Sequence, residues 1–354
     1  MPKLRATSWA GWLAAAVVAA AGSASAQGAA AFGPAPRDAS GRFLNLAGEI
    51  PRAGPGVTLP FGLRRIATSI AGDRLGAPER VANDGAFLRE NAGHSVPTAT
   101  WIGHSTLLIQ MGGVSFLTDP TWSPTASPIS WLGPRRWVEP GLELDALPPL
   151  DFVLISHSHY DHLDLPTLVR VAQRGRDTRF LVPLGNAALL RDAGIERVEE
   201  LDWGQSTRVG GVEITCVPSQ HWSQRGLLDA RRSLWCAWVV LAPERRFYFM
   251  GDSGWYPGFA DVGRVFGPFD LAAVPIGAYR PEAMMGPHHL DPEQAVQAGL
   301  ALGARRLVAM HFGTFDLSDE PLDEPPPRFR AAAAKAGYPD AATWVLRIGE
   351  TRGF

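Results

Sequence analysis

Short apolar runs, separated by glycine, proline and polar residues, follow one another along the chain from Ala99 onward. Runs of this length that are rich in valine, isoleucine and aromatic residues predict β-strands. They are ATWIGHSTLLIQM and VSFLTDP, joined at the turn Gly112-Gly113, then DFVLIS, RFLVP, GVEITCVPS, SLWCAWVVLA, RRFYFMGD, FDLAAVPIG, RRLVAMHFG and finally ATWVLRIGE.

Longer segments with apolar residues at helical spacing lie between several of these runs. DLPTLVRVAQR and GNAALLRDAG each follow a strand, and PPRFRAAAAKAG precedes the last one. A further helix is predicted from its start signals: Asp291 as N-cap, Pro292 at the first helical position and Gln294 completing a capping box, with its end near Gly303. Because several strands follow one another in mid-chain, a purely doubly wound parallel sheet is disfavoured. We predict an α/β fold of two mixed β-sheets flanked by helices.

The rest of the chain has few regular patterns. Residues 27–96 are rich in glycine, alanine and proline, which predicts an irregular N-terminal extension with one short helix in PFGLRRIATSIAG. Residues 119–149 form a long loop with seven prolines. Its tryptophans, Trp122, Trp131 and Trp137, argue against disorder, and loops of this length are often functional. The main folded domain is predicted to span 97–350.

The first 26 residues carry the three marks of a secretory signal peptide. Lys3 and Arg5 form a basic start, an apolar run extends over 9–21, and Ala24-Ser25-Ala26 is a small-residue cleavage pattern before Gln27. The alternative is an uncleaved membrane anchor, but a bilayer-spanning helix needs about 20 apolar residues. We therefore expect a cleaved, exported protein that is periplasmic or secreted.

Composition narrows the classes of protein further. The chain is 46% apolar and 19% charged, which is typical of globular proteins. Its net charge of −2 gives no overall basicity that would attract nucleic acid. Cys216 and Cys236, the two cysteines, lie in apolar runs without CxxC spacing. Export would permit a disulfide between them, but we favour two free, buried thiols.

The segment SHSHYDHLD, residues 156–164, contains three of the nine histidines of the chain. His157 and His159 follow a predicted strand, and Asp161 and His162 lie where a helix begins. A lone histidine after a strand is usually structural, but histidine and aspartate clustered at this spacing are typical of a metal site. We predict that this loop binds metal.

Three further residues of the same types follow other predicted strands. Side chains at strand ends can converge where loops leave a sheet. Seven candidates exceed the four ligands of one tetrahedral zinc ion, so we predict two divalent metal ions, zinc being favoured, with Asp252 as bridging carboxylate. The seven predicted ligands are His157, His159, Asp161, His162, His221, Asp252 and His311.

The HxHxDH motif with downstream histidine, aspartate and histidine resembles the metallo-β-lactamase superfamily. That resemblance implies an αββα sandwich with a dinuclear metal site between the tops of two sheets. From about Phe43 to Glu350, segments such as TWIGHSTLLIQ, PSQHW and FGPFDLAAVPIGAY resemble, more specifically, the phospholipases D that hydrolyse N-acylphosphatidylethanolamine. The resemblance assigns one metal to His157, His159 and His221, the other to Asp161, His162 and His311, and Asp252 to both.

The resemblance also suggests residues that contact the substrate. It places His289 near the substrate headgroup, and we add Tyr279 and Trp131 as further candidate substrate-binding residues. Ser130-Trp131 stand where mammalian members have Gln-Tyr, so the acyl-chain or headgroup preference is open. His104 is expected to orient the site from outside the ligand set, whereas His288 has no match and His94 is predicted to be a surface residue.

The chemistry expected of such a site is hydrolysis by a hydroxide bound to both metals, with Asp161 and Asp252 as catalytic residues. The first hypothesis is a phospholipase D-type phosphodiesterase acting on phospholipids. A peripheral contact of the protein with a membrane is compatible with this hypothesis. The second is another hydrolase of the same fold, a lactonase or carboxylic ester hydrolase, since one fold hosts many reactions. The third is a metal-dependent binding or sensing protein. A phospholipid also needs an apolar trough for its tails; Trp122, Trp131, Trp222 and Trp255 lie next to the site segments and could either line one or cover the core.

Overall fold

The computed structural model describes residues 31–71, 76–94, 96–129 and 133–354. The predicted signal peptide and the substrate candidate Trp131, with Ser130, lie outside these residues. The described strands are β1 Thr98–Gly103, β2 Thr106–Met111, β3 Val114–Thr118, β4 Phe152–Leu154, β5 Arg179–Pro183, β6 Val198–Leu201, β7 Ser206–Val209, β8 Val212–Val217, β9 Ala237–Leu241, β10 Arg246–Phe249, β11 Leu271–Pro275, β12 Leu307–Met310, β13 Thr343–Trp344 and β14 Thr351–Gly353.

Helices cover both outer faces of the strands. The described α-helices of four residues or more are α1 Pro55–Ala71, α2 Ala86–Asn91, α3 Leu165–Arg174, α4 Ala187–Asp192, α5 Gly258–Phe266, α6 Glu282–Met285, α7 Pro292–Ala301 and α8 Pro325–Lys335. The predicted start of α7 is confirmed: the Asp291 side chain accepts from the backbone N–H of Gln294, whose side chain completes the capping box.

The strands form two mixed seven-stranded sheets, as predicted. The first has the order β14-β1-β2-β3-β4-β5-β6 and the second β13-β12-β11-β10-β9-β8-β7. In each sheet, a run of antiparallel strands continues into parallel ones, at β3–β4 in the first and β10–β11 in the second. The parallel strands all end at one edge, and the loops that leave this edge carry the polar residues described below.

Two apolar cores hold these layers together. The larger lies between the sheets, where the Phe116 and Phe247 rings are 5.9 Å apart. The smaller lies between the first sheet and α3 and α4, and includes Leu168 and Leu190. Since strands of both sheets are almost entirely buried, they read as continuous apolar runs in the sequence. The αββα sandwich is confirmed.

Several details of the sequence interpretation were wrong. The short helix predicted within 60–72 is the 17-residue helix α1, which accommodates Pro60 and two glycines that have low helix propensity. The extension also contains α2, so it is less irregular than predicted. The last predicted strand is reduced to Thr343–Trp344, and the chain then returns to the first sheet, where β14 pairs with β1.

Two further features bear on function. Cys216 and Cys236 are free and buried, as favoured from the sequence. Among the described helices, none combines the length and the apolar character that crossing a bilayer requires.

Candidate metal centre

Three histidines converge at the edge where β4 and β8 end. His157 and His159 lie in the loop after β4, and His221 lies in the loop after β8. The Nε2 atom of His157 is 2.8 Å from Nδ1 of His159, which is in turn 3.3 Å from Nε2 of His221. Three imidazole nitrogens that face one common point form a set of donors that suits a divalent metal.

A second group lies beside the first. The Asp161 Oδ2 atom is 3.3 Å from Nε2 of His162 and 3.4 Å from Nε2 of His311, which follows β12. Both Nε2 atoms are buried without a hydrogen-bond partner among the described residues. Buried polar atoms without partners are costly, so this arrangement fits a bound cation. The group is the one that the sequence resemblance assigned to the second metal.

Asp252, after β10, lies between the two groups. Its Oδ2 atom is 3.1 Å from Nε2 of both His162 and His311, and 3.9 and 3.8 Å from Nε2 of His157 and His221. The other carboxylate oxygen, Oδ1, is also buried without a partner. One carboxylate facing both histidine groups is the placement expected of a bridging ligand. The residues present thus fit two divalent ions.

His104 and Asp119 contact the predicted ligands and offer donor atoms of their own, His104 beside Asp161, His162 and His311, and Asp119 beside His157 and His162. His104 Nε2 lies 2.9 Å from Asp161 Oδ2, so this ring is paired with the carboxylate, and its role in orienting the site stays a prediction. Asp119, at the end of β3, was missed by the sequence analysis. Its Oδ2 lies 2.6 Å from Nδ1 of His162 and accepts from the Ser156 hydroxyl. The only sequence signal for it was a lone aspartate at the end of the LTDP run.

Backbone strain is concentrated in the same place. His104, Asp119 and His311 have φ angles of 52°, 36° and 58°, which side chains other than glycine rarely adopt. Strained backbone persists where the surrounding structure fixes it, and it clusters at functional sites. The strained φ angles of these three residues therefore agree with a functional site at this position.

The histidines divide into two groups by protonation. Burial lowers the pKa of His157 and His221 well below the usual value, and lowers that of His159 to about 4. These rings are neutral and have a free lone pair for a metal. Burial also acts on His162 and His311, but Asp252 and Asp161 outweigh it and raise their pKa values, that of His311 to about 9. In the metal-free protein these two rings hold protons that a metal would displace.

The candidate substrate residues have different surroundings. His289 lies at the centre: its Nδ1 is 3.7 Å from Asp252 Oδ2, and burial lowers its pKa to about 3. The Tyr279 side chain is buried and its hydroxyl donates to Glu324, at 2.9 Å, so that hydroxyl is already engaged. His94 is exposed, as predicted.

A cavity of about 970 Å³ opens onto the metal-ligand cluster. His159, His288 and His289 are among its lining residues, and the Trp222 ring packs 4.8 Å from that of His159. Part of its wall comes from the N-terminal segment 42–58, which the sequence analysis did not connect with the site. Trp255 is 46% exposed and is not among the residues that line this cavity.

Comparisons with known proteins agree with this geometry. The family model described as "Beta-lactamase superfamily domain" matches residues 115–312. The chain is 43% identical over 229 residues to an N-acyl-phosphatidylethanolamine-hydrolyzing phospholipase D of Caenorhabditis elegans, covering 62% of this chain and 64% of that protein. It thus spans just under two thirds of the length of this relative.

Two other similarities are broader. A UPF0173 metal-dependent hydrolase of Methanopyrus kandleri is 30% identical over 256 residues, covering 71% of this chain and 97% of that protein. The solved structure of a metallo hydrolase from the archaeon Ignicoccus hospitalis has a TM-score of 0.56 at 22% identity, covering 73% of this chain and 98% of that one. At this identity, the structural similarity concerns the fold.

Proposed function

Because this chain belongs to the metallo-β-lactamase superfamily and is a metal-dependent hydrolase, we propose that it is a phospholipase D-type phosphodiesterase acting on N-acylphosphatidylethanolamine-like phospholipids. The observation that carries the proposal is the position of Asp252 Oδ2 between the two groups of histidines. A site for two neighbouring cations suits displacement at phosphorus, because negative charge develops on the attacking and the leaving oxygen in the same step and the cations can balance both. The similarity to the nematode phospholipase D supports the same reaction.

The proposed cofactor is two divalent ions, with zinc favoured by the histidine and carboxylate donors. His157, His159 and His221 would hold one, Asp161, His162 and His311 the other, and Asp252 both. When bound, such ions lower the pKa of water and balance negative charge on a phosphoryl group.

The protein's own residues then orient the reactants. Asp161 is held by His104 at 2.9 Å, so its carboxylate is positioned to accept a hydrogen bond from the attacking water. His289 is proposed to contact the phosphate or headgroup, because its ring lies among the predicted ligands: it stacks on that of His311 at 5.4 Å and meets that of His221 edge-on at 5.2 Å. Trp131 remains a proposed substrate contact, and so does Tyr279, through its ring rather than its engaged hydroxyl.

The cavity supports a lipid substrate. Its wall combines apolar side chains, among them Leu44, Ile50 and Met285, with the arginines Arg42 and Arg52. Apolar surface would accommodate acyl chains, and the guanidinium groups would attract a phosphodiester.

The rim of the cavity suits a membrane surface. Leu227, which lines the cavity, is 95% exposed, and the neighbouring Leu228 is 86% exposed. On α1, which begins at this rim, Leu59 and Leu63 are exposed four residues apart, and thus lie on one face. Exposed apolar clusters of this kind mark contacts with membranes or partners, so we propose a peripheral contact with lipid here.

The proposal is tested by product analysis on the metal-loaded protein. With N-acylated phosphatidylethanolamine, mass spectrometry should find phosphatidic acid and N-acylethanolamine, and Asp252→Asn and His159→Ala should abolish turnover. A wild-type protein that leaves this lipid and simple phosphodiesters intact but opens lactones or carboxylic esters would replace the phospholipase with that hydrolase. Metal binding without turnover on any of them would favour a binding or sensing protein.

Export is proposed separately, from the sequence of residues 1–26. N-terminal sequencing of protein from its host should begin at Gln27. An intact Met1 on protein recovered from the cytosol would contradict the proposal.

A further inference from the structure

The N-terminal segment before the superfamily domain is fixed to the body of the protein near the site. Phe43 is fully buried in the core between the sheets, and its N–H donates to the carbonyl of Arg231 at 2.9 Å. Upstream, the Ala35 N–H donates to the Asp202 carboxylate at 3.0 Å. Phe43 and Ala35 precede residues 115–312, the span of the family match, whereas Arg231 and Asp202 lie within it. The two hydrogen bonds therefore join the N-terminal segment to the matched domain. Asn45, two residues after Phe43, therefore follows a firmly anchored stretch of backbone.

The Asn45 side chain forms hydrogen bonds with both backbone polar groups of His221, its N–H and its carbonyl. Asn45 Nδ2 donates to the His221 carbonyl at 2.9 Å, and Asn45 Oδ1 accepts from the His221 N–H at 3.2 Å. The same Oδ1 accepts from the indole Nε1 of Trp235 at 2.9 Å. One amide thus pairs with the backbone of His221 as a neighbouring strand would. Only an amide offers a donor and an acceptor in this geometry.

The ring of His221 is fixed as well. Its Nδ1 donates to the carbonyl of His288 at 3.0 Å, which leaves the lone pair of Nε2 facing His159 and Asp252. The tautomer required for metal binding is set by this hydrogen bond, but its geometry depends on where the backbone of His221 lies. Asn45 is the side chain that holds that backbone.

We infer that Asn45 is a positioning residue for His221 and, through it, for the metal subsite of His157, His159 and His221. The N-terminal segment is then a working part of the metal centre, although it precedes the superfamily domain. The role does not depend on which ester or phosphodiester is the substrate. Groups that orient metal ligands typically change metal affinity or activity about 10–100-fold when they are removed.

The test uses Asn45→Ala in the full-length protein, with Asn83→Ala as matched control. Asn83 also lies before the domain and makes the same kinds of bond, since its Nδ2 donates to the Gly349 carbonyl at 2.8 Å and its Oδ1 accepts from the Gly85 N–H at 2.9 Å. Zinc retention is measured by competition with a chelator, and the visible spectrum is recorded after substitution with cobalt.

Asn45→Ala should lose one of its metals about 10–100-fold more readily than the wild type, with an altered cobalt spectrum and a kcat lowered more than KM is raised. Asn83→Ala should retain metal and spectrum. If both variants lower Tm equally while Asn45→Ala retains metal and spectrum as the wild type does, Asn45 only holds the segment and the inference is wrong.

Asn45→Asp serves if Asn45→Ala does not fold. It keeps the acceptor for His221 N–H and Trp235 but lacks the donor to the His221 carbonyl, and should weaken metal retention in the same direction. Wild-type retention in folded Asn45→Asp would refute the inference. Because chelator competition requires no substrate, absence of phospholipase activity would overturn the proposed function and leave this test intact.

Discussion

The Nδ1 atom of His162 lies 2.6 Å from Oδ2 of Asp119, and neither side chain is exposed to solvent. The hydrogen bond fixes the ring so that its Nε2 faces Asp252 at 3.1 Å. Asp119 itself accepts from the backbone N–H and the hydroxyl of Ser156, the residue before His157. One buried carboxylate at the end of β3 therefore orients His162, a proposed ligand of one metal, and contacts the start of the loop that carries His157 and His159, proposed ligands of the other.

Asp119→Asn should lower activity by about 10–100-fold, because an amide accepts the His162 proton less strongly and leaves the ring less well oriented. The measurement is kcat/KM together with zinc content. Asp151→Asn is the control, since Asp151 likewise accepts a backbone N–H, that of Ser115 in β3 at 2.7 Å, and is not among the metal-site residues. Equal effects of the two substitutions would show that Asp119 contributes only to the fold.

Elemental analysis of the purified protein should give about two zinc ions per chain, since the seven proposed ligands exceed the needs of one ion. His311→Ala and His221→Ala remove donors from different groups, so each should reduce the ratio to about one. A ratio of one in the wild type that His311→Ala leaves unchanged would contradict a dinuclear centre.

Replacing both Leu227 and Leu228 by serine should weaken binding to vesicles of N-acylated phosphatidylethanolamine and phosphatidylcholine, because the largely exposed side chains lose their apolar contact. Hydrolysis of a water-soluble phosphodiester should stay unchanged, and sedimentation with vesicles measures the binding. Leu300→Ser, at a half-exposed leucine of α7 that is not part of the cavity lining, is the control. Unchanged sedimentation of the double variant would exclude this rim as the lipid contact.

The metal-free protein should be most stable near pH 6.5 and lose stability on both sides. Burial lowers the pKa of His159 and His288 to about 4 from 6.5, so as pH falls through this range the unfolded chain binds protons that the folded one does not. The contribution of His311, whose pKa is raised to about 9 because Asp252 and Asp161 outweigh burial, is full below pH 6.5 and is lost as pH rises to 9.

Tm of chelator-treated protein from pH 4 to 9 measures this dependence. His288→Gln should flatten the acid side by removing about one of the linked protons. A Tm that rises steadily with pH over the whole range would contradict the division of the histidines into two groups.

The local patterns predicted the sheets and the HxHxDH loop well, because both depend on residues close together in sequence. Apolar runs predict buried strands, and His157 to His162 are adjacent in the chain. The capping signals of α7 were likewise local and were confirmed. The return of β14 to the first sheet was missed, since its pairing with β1 joins residues about 250 positions apart.

The support of the site was harder to predict for the same reason. Asp119 and Asn45 are single polar residues in ordinary surroundings, and their roles arise from contacts with His162 and His221 that the fold creates. Helix α1 was underestimated because its proline and glycines obscure the helical pattern, although tertiary contacts with the remainder of the chain support it.

The central claim is hydrolysis by attack at phosphorus, and hydrolysis of N-acylated phosphatidylethanolamine in ¹⁸O-labelled water tests it most directly. If water attacks the phosphorus and the bond to the ethanolamine oxygen breaks, one ¹⁸O atom appears in phosphatidic acid and none in N-acylethanolamine. Mass spectrometry of the two products reads the result. Label in N-acylethanolamine, or in a released fatty acid, would contradict the account.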